Sequence, residues 1–177
     1  MSQAATAVPY FVTGNPETEE FVSLPAGFPS GMLGMECEFN QGTAAAPKWC
    51  RYQFFKCAAS QTPLVGTVLY WVDKTAFTVT LDRTNRGDVA GVSQIAAAAA
   101  AEYIWILKKG QRSVRFQGTP TSAPDATGKP VVPSATADGV ADSLALTTAP
   151  NVSLIGVTLV TAASNVALCR VNIPDSQ

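Results

Sequence analysis

The chain contains no histidine. That removes the commonest general base near neutral pH, and with it the Ser-His-Asp and Cys-His arrangements of nucleophilic hydrolases. Charge is scarce as well: Asp, Glu, Lys and Arg make up 14% of the residues and the formal net charge is −1. The cations are scattered, apart from a short neighbourhood at Lys108, Lys109, Arg112 and Arg115. That pattern offers no footprint for nucleic acid, and the neighbourhood is read as a strand end and a hairpin. No apolar run approaches the roughly 18 residues of a membrane span. The beginning, MSQAATAVPYF, has neither the charged nor the long apolar region of a secretory signal. A soluble protein made in a cytoplasm, with no membrane and no nucleic acid among its partners, is expected.

Cysteine stands at only four positions, Cys37, Cys50, Cys57 and Cys169. Without an export signal they are expected to be reduced, buried thiols. The spacings C-x12-C and C-x6-C lack the close pairs of most structural zinc sites, so no metal is expected. The glycines form neither G-x-G-x-x-G nor G-x4-G-K-[ST], which leaves nucleotide binding without a handle. Glu36 and Glu38 flank Cys37 at strand spacing and could face the same way. Paired carboxylates can hydrolyse glycosides, but a solvated strand face is the ordinary reading. The remaining acids sit mostly in loops or turns. The expectation is a protein that is not an enzyme, with no cofactor and no small-molecule substrate.

What the sequence does contain is the vocabulary of strands. Its 177 residues are 47% hydrophobic, enough for one generous domain or two small ones. Residues 1–48 are punctuated by Pro9, Gly14, Pro16, Pro25, Gly27, Pro29, Gly31, Gly34, Gly42 and Pro47, a density that rules out long regular elements. This stretch is read as a loop-rich arm. Its apolar clusters at Tyr10-Phe11 and Phe21-Val22 are too short to build a core, which makes these four residues candidates for docking on the body or on a neighbouring molecule.

From residue 49 to 177 the chain reads as an all-β body, a barrel or sandwich of antiparallel strands. WCRYQFFKC is rich in aromatics, GTVLYWV is continuously apolar, and FTVTL alternates Phe77, Val79 and Leu81 with Thr78 and Thr80. DRTNRGD is a polar turn, and its RGD tripeptide is a chance recurrence. Six alanines at 96–101 allow at most one short helix, being fewer than the roughly 12 residues an isolated helix needs. Beyond them Glu102 to Lys108 has strand composition. Tyr103, Trp105 and Leu107 would share one face, Ile104 and Ile106 the other, so both sides should be covered. Gly110-Gln111 is read as a hairpin turn before RSVRF, where Val114 and Phe116 alternate with Ser113 and Arg115. Further strands are expected at Pro130 to Val132, at LIGVTLV and at ALCRVNI, where Ala167, Cys169, Val171 and Ile173 should face inward. Asp138-Gly139 reads as a tight turn. The tryptophans, Trp49, Trp71 and Trp105, are read as core or interface residues.

The run VAGVSQ followed by alanines, EYIWILKKGQRSVRF, GKPVVPSATADGVAD and LIGVTLVTAASNVALCRVNI resembles the head decoration, or capsid cement, proteins of tailed bacteriophages. The likeness covers about residues 67–174. It departs from the family at Ala101, where glycine is usual before the Glu-Tyr pair. The resemblance implies a compact β-domain on the outer surface of a virion, binding the major capsid protein as a homo-oligomer and stabilising the shell by bridging neighbouring capsomers. A carbohydrate- or receptor-binding β-module displayed on a virion is the alternative, and it requires an exposed aromatic beside carboxylates or amides in a concave site.

Overall fold

The fold is described from a computed structural model, over residues 15–17, 20–21, 33–58, 61–85, 87–95, 103–117, 127–144, 153–161 and 165–174. The alanine run, and with it the expected short helix, lies outside these residues.

The strands are β1 (Glu20–Phe21), β2 (Glu36–Asn40), β3 (Trp49–Cys57), β4 (Val68–Asp73), β5 (Thr78–Thr80), β6 (Val89–Ser93), β7 (Tyr103–Arg115), β8 (Pro130–Pro133), β9 (Ala141–Ser143), β10 (Gly156–Thr158) and β11 (Val166–Asn172), with one 3-10 turn at Arg83–Asn85. The protein is nearly all β. Strands β3, β5, β4, β6 and β7 follow one another around a closed five-stranded barrel, sealed by pairing of β7 with β3. Closure removes free edges from these strands. All neighbours in the ring are antiparallel except β3 and β5, which run parallel.

Strand β6, residues Val68–Trp71 of β4 and Ile104–Leu107 of β7 are buried on both faces, which is why their sequences look nearly continuously apolar rather than alternating. Phe55 and Cys57 of β3, Leu69 and Trp71 of β4, Val79 of β5, Ala90 of β6, and Ile104 and Ile106 of β7 fill the interior. Phe55 meets Trp71 edge-on with ring centroids 4.9 Å apart, a geometry aromatic quadrupoles favour. On the outer face, Tyr52, Phe54, Val68, Tyr70, Trp105 and Leu107 form a second core with the strands beyond the barrel. Trp105 and Leu107 therefore do lie opposite Ile104 and Ile106, and both sides of this interior strand are covered.

Beyond the barrel the sheet continues from β7 through β11, β10 and β8 to β9. A bridge between Phe116 and Ala141, and the Gln117 N–H donating to the Ala141 carbonyl at 3.1 Å, bring the last strand back to the end of β7. Val114, Phe116, Val131, Ile155, Ala167, Cys169 and Val171 are packed within this outer curl. Strand β11 shows the expected alternation: Ala167, Cys169 and Val171 are buried and Arg170 and Asn172 exposed.

The hairpin expected at Gly110-Gln111 does not form. Strand β7 runs unbroken for 13 residues, because a bulge takes the place of the turn. Arg51 pairs with Lys109 and Tyr52 with Leu107, so Lys108 is an extra residue on β7. One extra residue inverts the alternation. The outer core accordingly takes Trp105 and Leu107 before the bulge but Val114 and Phe116 after it. Lys108 itself continues the inward face of Ile104 and Ile106: it is fully buried, its ammonium donates to the Ala90 carbonyl at 2.8 Å and lies 5.8 Å from the centre of the Trp71 ring. Strand β10 is also shorter than LIGVTLV suggests, with Leu154 and Val160 left largely exposed. At Gly156 a Cβ would sit 2.0 Å from the Arg170 carbonyl oxygen. Backbone approaches there so closely that only glycine fits.

Burial sets a pH limit on this fold. It pushes the Cys169 thiol from its ordinary 9.0 up to about 12. The Cys50 thiol is raised by burial, which outweighs the nearby Arg112 charge, and the Tyr52 phenol is raised by burial together with its hydrogen bond to Glu17. All three keep their protons longer in the folded chain than in the unfolded one. Stability is therefore expected to fall as pH rises above about 9, continuing to about 12 for Cys169, at roughly 1.4 kcal/mol per pH unit for each such group. With no histidine, the urea midpoint should not move between about pH 6 and 8. Midpoints at pH 7, 8 and 10.5 check this: equal values at the first two and a lower value at the third are expected.

Candidate interaction surface

Of the four arm residues singled out, Tyr10, Phe11 and Val22 lie outside the described residues. Phe21 belongs to β1, which pairs with β7 through Phe21 opposite Tyr103 and Glu20 opposite Ile104. The structure instead gives the arm an anchor that its composition does not announce. Asn15, Pro16 and Glu17 lie against β3 and β7 through a polar cluster. The fully buried Tyr52 donates its hydroxyl to the Glu17 carboxylate at 2.6 Å, and Arg112 Nε donates to the same oxygen at 2.5 Å. The Gln41 amide donates to Tyr52 Oη at 3.0 Å and to Asn15 Oδ1 at 2.7 Å. The Asn15 side chain also accepts from the Glu17 N–H at 3.0 Å, closing a local turn. A carboxylate held by a charged partner and a buried phenol is among the stronger polar contacts in proteins. Strand β2, also within the first 48 residues, pairs along β3 from Glu36 opposite Gln53 to Asn40 opposite Trp49.

Glu36 and Glu38 occupy the same exposed face of β2, as their spacing suggests, and Glu36 lies 3.7 Å from Arg51. Asp88 of the RGD tripeptide pairs with Lys74 at 2.8 Å. The four cysteines are unbridged, with Cys50, Cys57 and Cys169 buried. Among the described residues no three His, Cys, Asp or Glu side chains are grouped to hold a metal ion.

A concavity of about 610 Å³ opens where the β2–β3 connection faces the surface of β7 and β11. Pro47, Lys48 and Trp49 form one wall; Lys109 and Gln111 of β7 and Arg170 and Asn172 of β11 form the other. Trp71 and Trp105 are 6% and 2% exposed, as core residues, whereas Trp49 is 63% exposed. Its place explains the difference: it is the first residue of β3, beside the splayed junction where β7 leaves β3 for β11. Sequence reasoning did not find this site, because its three segments meet only through the pairing of β7 with β3 and β11. Comparisons with protein-family models, with curated proteins and with solved structures return no match.

Proposed function

We propose that this chain is a structural virion protein that binds the outer surface of a phage capsid and stabilises the shell by bridging neighbouring capsomers. The partner is the major capsid protein and the protein acts as a homo-oligomer. The sequence resemblance over residues 67–174 carries this reading. What supports it in the fold is the anchoring of the arm: the Glu17, Tyr52 and Arg112 cluster ties the segment after Tyr10-Phe11 to a rigid closed barrel. The mechanism is mechanical. Each copy contributes modest contacts, and several tethered copies make collective detachment improbable, because once one contact holds the next forms at high effective concentration.

The test is co-sedimentation of the purified chain with expanded shells of the virus that encodes it. The full chain is expected to pellet with shells at saturable stoichiometry. Removing residues 1–14 keeps the Glu17 anchor and is expected to preserve the cooperative urea transition while weakening shell binding at least tenfold. A folded full-length chain that never pellets with shells overturns the reading.

A carbohydrate- or receptor-binding module on a virion is the second reading, favoured by one observation: the exposed Trp49 stands beside the amides of Gln111 and Asn172 in a concave site. Indole faces next to amide groups suit sugar rings, and a neutral-glycan array with wild-type and Trp49→Ala protein separates this reading from the first.

A further inference from the structure

The concavity beside Trp49 has a composition the rest of the chain does not prepare one for. The protein has as many acids as bases to within one residue, 13 against 12, yet the described residues lining this hollow include Lys48, Lys109 and Arg170 and no acid. All three cations are exposed, and none forms an ion pair with another described residue. They surround an indole that is 63% exposed. Tryptophan and arginine are the residues most often responsible for binding energy at protein interfaces. A hollow with fixed like charges and low-dielectric walls concentrates counter-charges.

We infer that this concavity receives an acidic peptide segment of the partner protein, with its carboxylates on Lys48, Lys109 and Arg170 and an apolar side chain against Trp49. The inference rests on the shell-binding reading for the identity of the partner. The chemistry selects among anions. A single-stranded nucleic acid needs a track of several stacking aromatics along a basic groove, whereas here one indole stands among three cations in a protein whose net charge is −1. A neutral sugar would use Trp49, Gln111 and Asn172 but leave the cations unused. Carboxylates spaced along a peptide use both sets, and Arg170 can hold a carboxylate through two parallel hydrogen bonds.

The experiment uses the full chain and a fluorescein-labelled peptide of alternating Glu and Leu, followed by anisotropy and by the part of the intrinsic tryptophan fluorescence change that Trp49→Ala abolishes. Binding is expected, and it should weaken at least fivefold between 50 and 300 mM NaCl, because exposed charge pairs are screened by salt. The K109E/R170E double variant should bind at least tenfold more weakly and Trp49→Ala at least fivefold, both with unchanged circular dichroism. Lys48→Glu, in the loop outside the ladder, serves if the double variant fails to fold. No binding of the peptide, or equal binding by folded charge-reversal variants, overturns the inference. So does tighter binding of a uronic-acid oligosaccharide or of a single-stranded oligonucleotide, which would give the site to another class of ligand. Shell co-sedimentation keeps the two proposals apart. A chain that pellets with shells while ignoring the peptide sinks only the site, and one that ignores shells sinks the shell reading.

Discussion

Replacing Gly110 by valine is expected to cost roughly 3–5 kcal/mol, enough to unfold a marginally stable domain. Two effects add. Gly110 has φ +144, a conformation that side chains with a Cβ rarely adopt and that costs on the order of 1–3 kcal/mol. A Cβ there would also stand 2.5 Å from Cys50 Sγ and 3.1 Å from Cys50 Cα, so backbone as well as side chain must yield. Overpacking of this kind adds about 1–3 kcal/mol. The position follows the bulge at Lys108, where β7 passes from β3 to β11, so any shift there disturbs both ladders. Cys50→Ala removes the nearest clashing atom. The Gly110→Ala, Cys50→Ala pair should therefore recover part of the loss and leave the backbone strain in place. Gly87, where a Cβ would meet nothing within 4 Å, is the control, and its alanine variant should melt like the wild type. Urea transitions of the set check the result. A Gly110→Val protein within 1 kcal/mol of wild type would mean that β7 does not bend through this contact.

The same bulge shows how far the sequence could be read. Alternation is a local signal, and where a strand keeps its register throughout it was legible: β11 and the residue after it bury Ala167, Cys169, Val171 and Ile173 as a period of two requires. The two-sided burial of Tyr103 to Leu107 was legible too, because only a strand covered on both faces has aromatic and aliphatic residues at every position. Gly110 was visible as an interruption, but a glycine marks a turn and a bulge equally well. The choice depends on whether another strand waits on the far side. That strand is β11, whose residues pair with Lys109 to Arg115 from more than 50 positions away. Closure of the barrel by β3 and β7, and the parallel pairing of β3 with β5, are likewise decided by long-range packing and leave no mark in either strand.

The candidate surface was less legible than the fold for the same reason. Trp49 belongs by composition with the aromatics of its own strand, and Tyr52, Phe54 and Phe55 are indeed fully buried. Only its place at the open end of β3 leaves it outside. Lys108 and Lys109 are adjacent and chemically identical, yet the first is sealed in the barrel and the second lines the concavity. Period two does put Lys108 on the inward face of Ile104 and Ile106, but a lysine is so seldom fully buried that its charge reads as surface.

Glu17 is the residue of the arm whose loss should be felt most by the body. In Glu17→Ala the buried Tyr52 hydroxyl and the Arg112 guanidinium lose a shared acceptor. Hydrogen bonds to charged groups contribute about 1.5–3 kcal/mol each. The two charged side chains keep 19–21% of their surface exposed, so water screens part of the ion pair and the expected loss is about 2–4 kcal/mol. Tyr52→Phe should cost less, about 1–2 kcal/mol, because it removes a donor while leaving Glu17 with Arg112. Glu17→Gln should fall between them, since it keeps an acceptor for the phenol and gives up the charge. In a double-mutant cycle Glu17→Ala and Tyr52→Phe should be non-additive, with the pair losing less than the sum, because each single change already breaks the same bond. Urea denaturation gives all four stabilities. If Glu17→Ala shifts stability by less than 0.5 kcal/mol, or if the two losses simply add, the segment is not fastened to the barrel through Tyr52, and the arm must be held by the pairing of Glu20 and Phe21 with β7 instead.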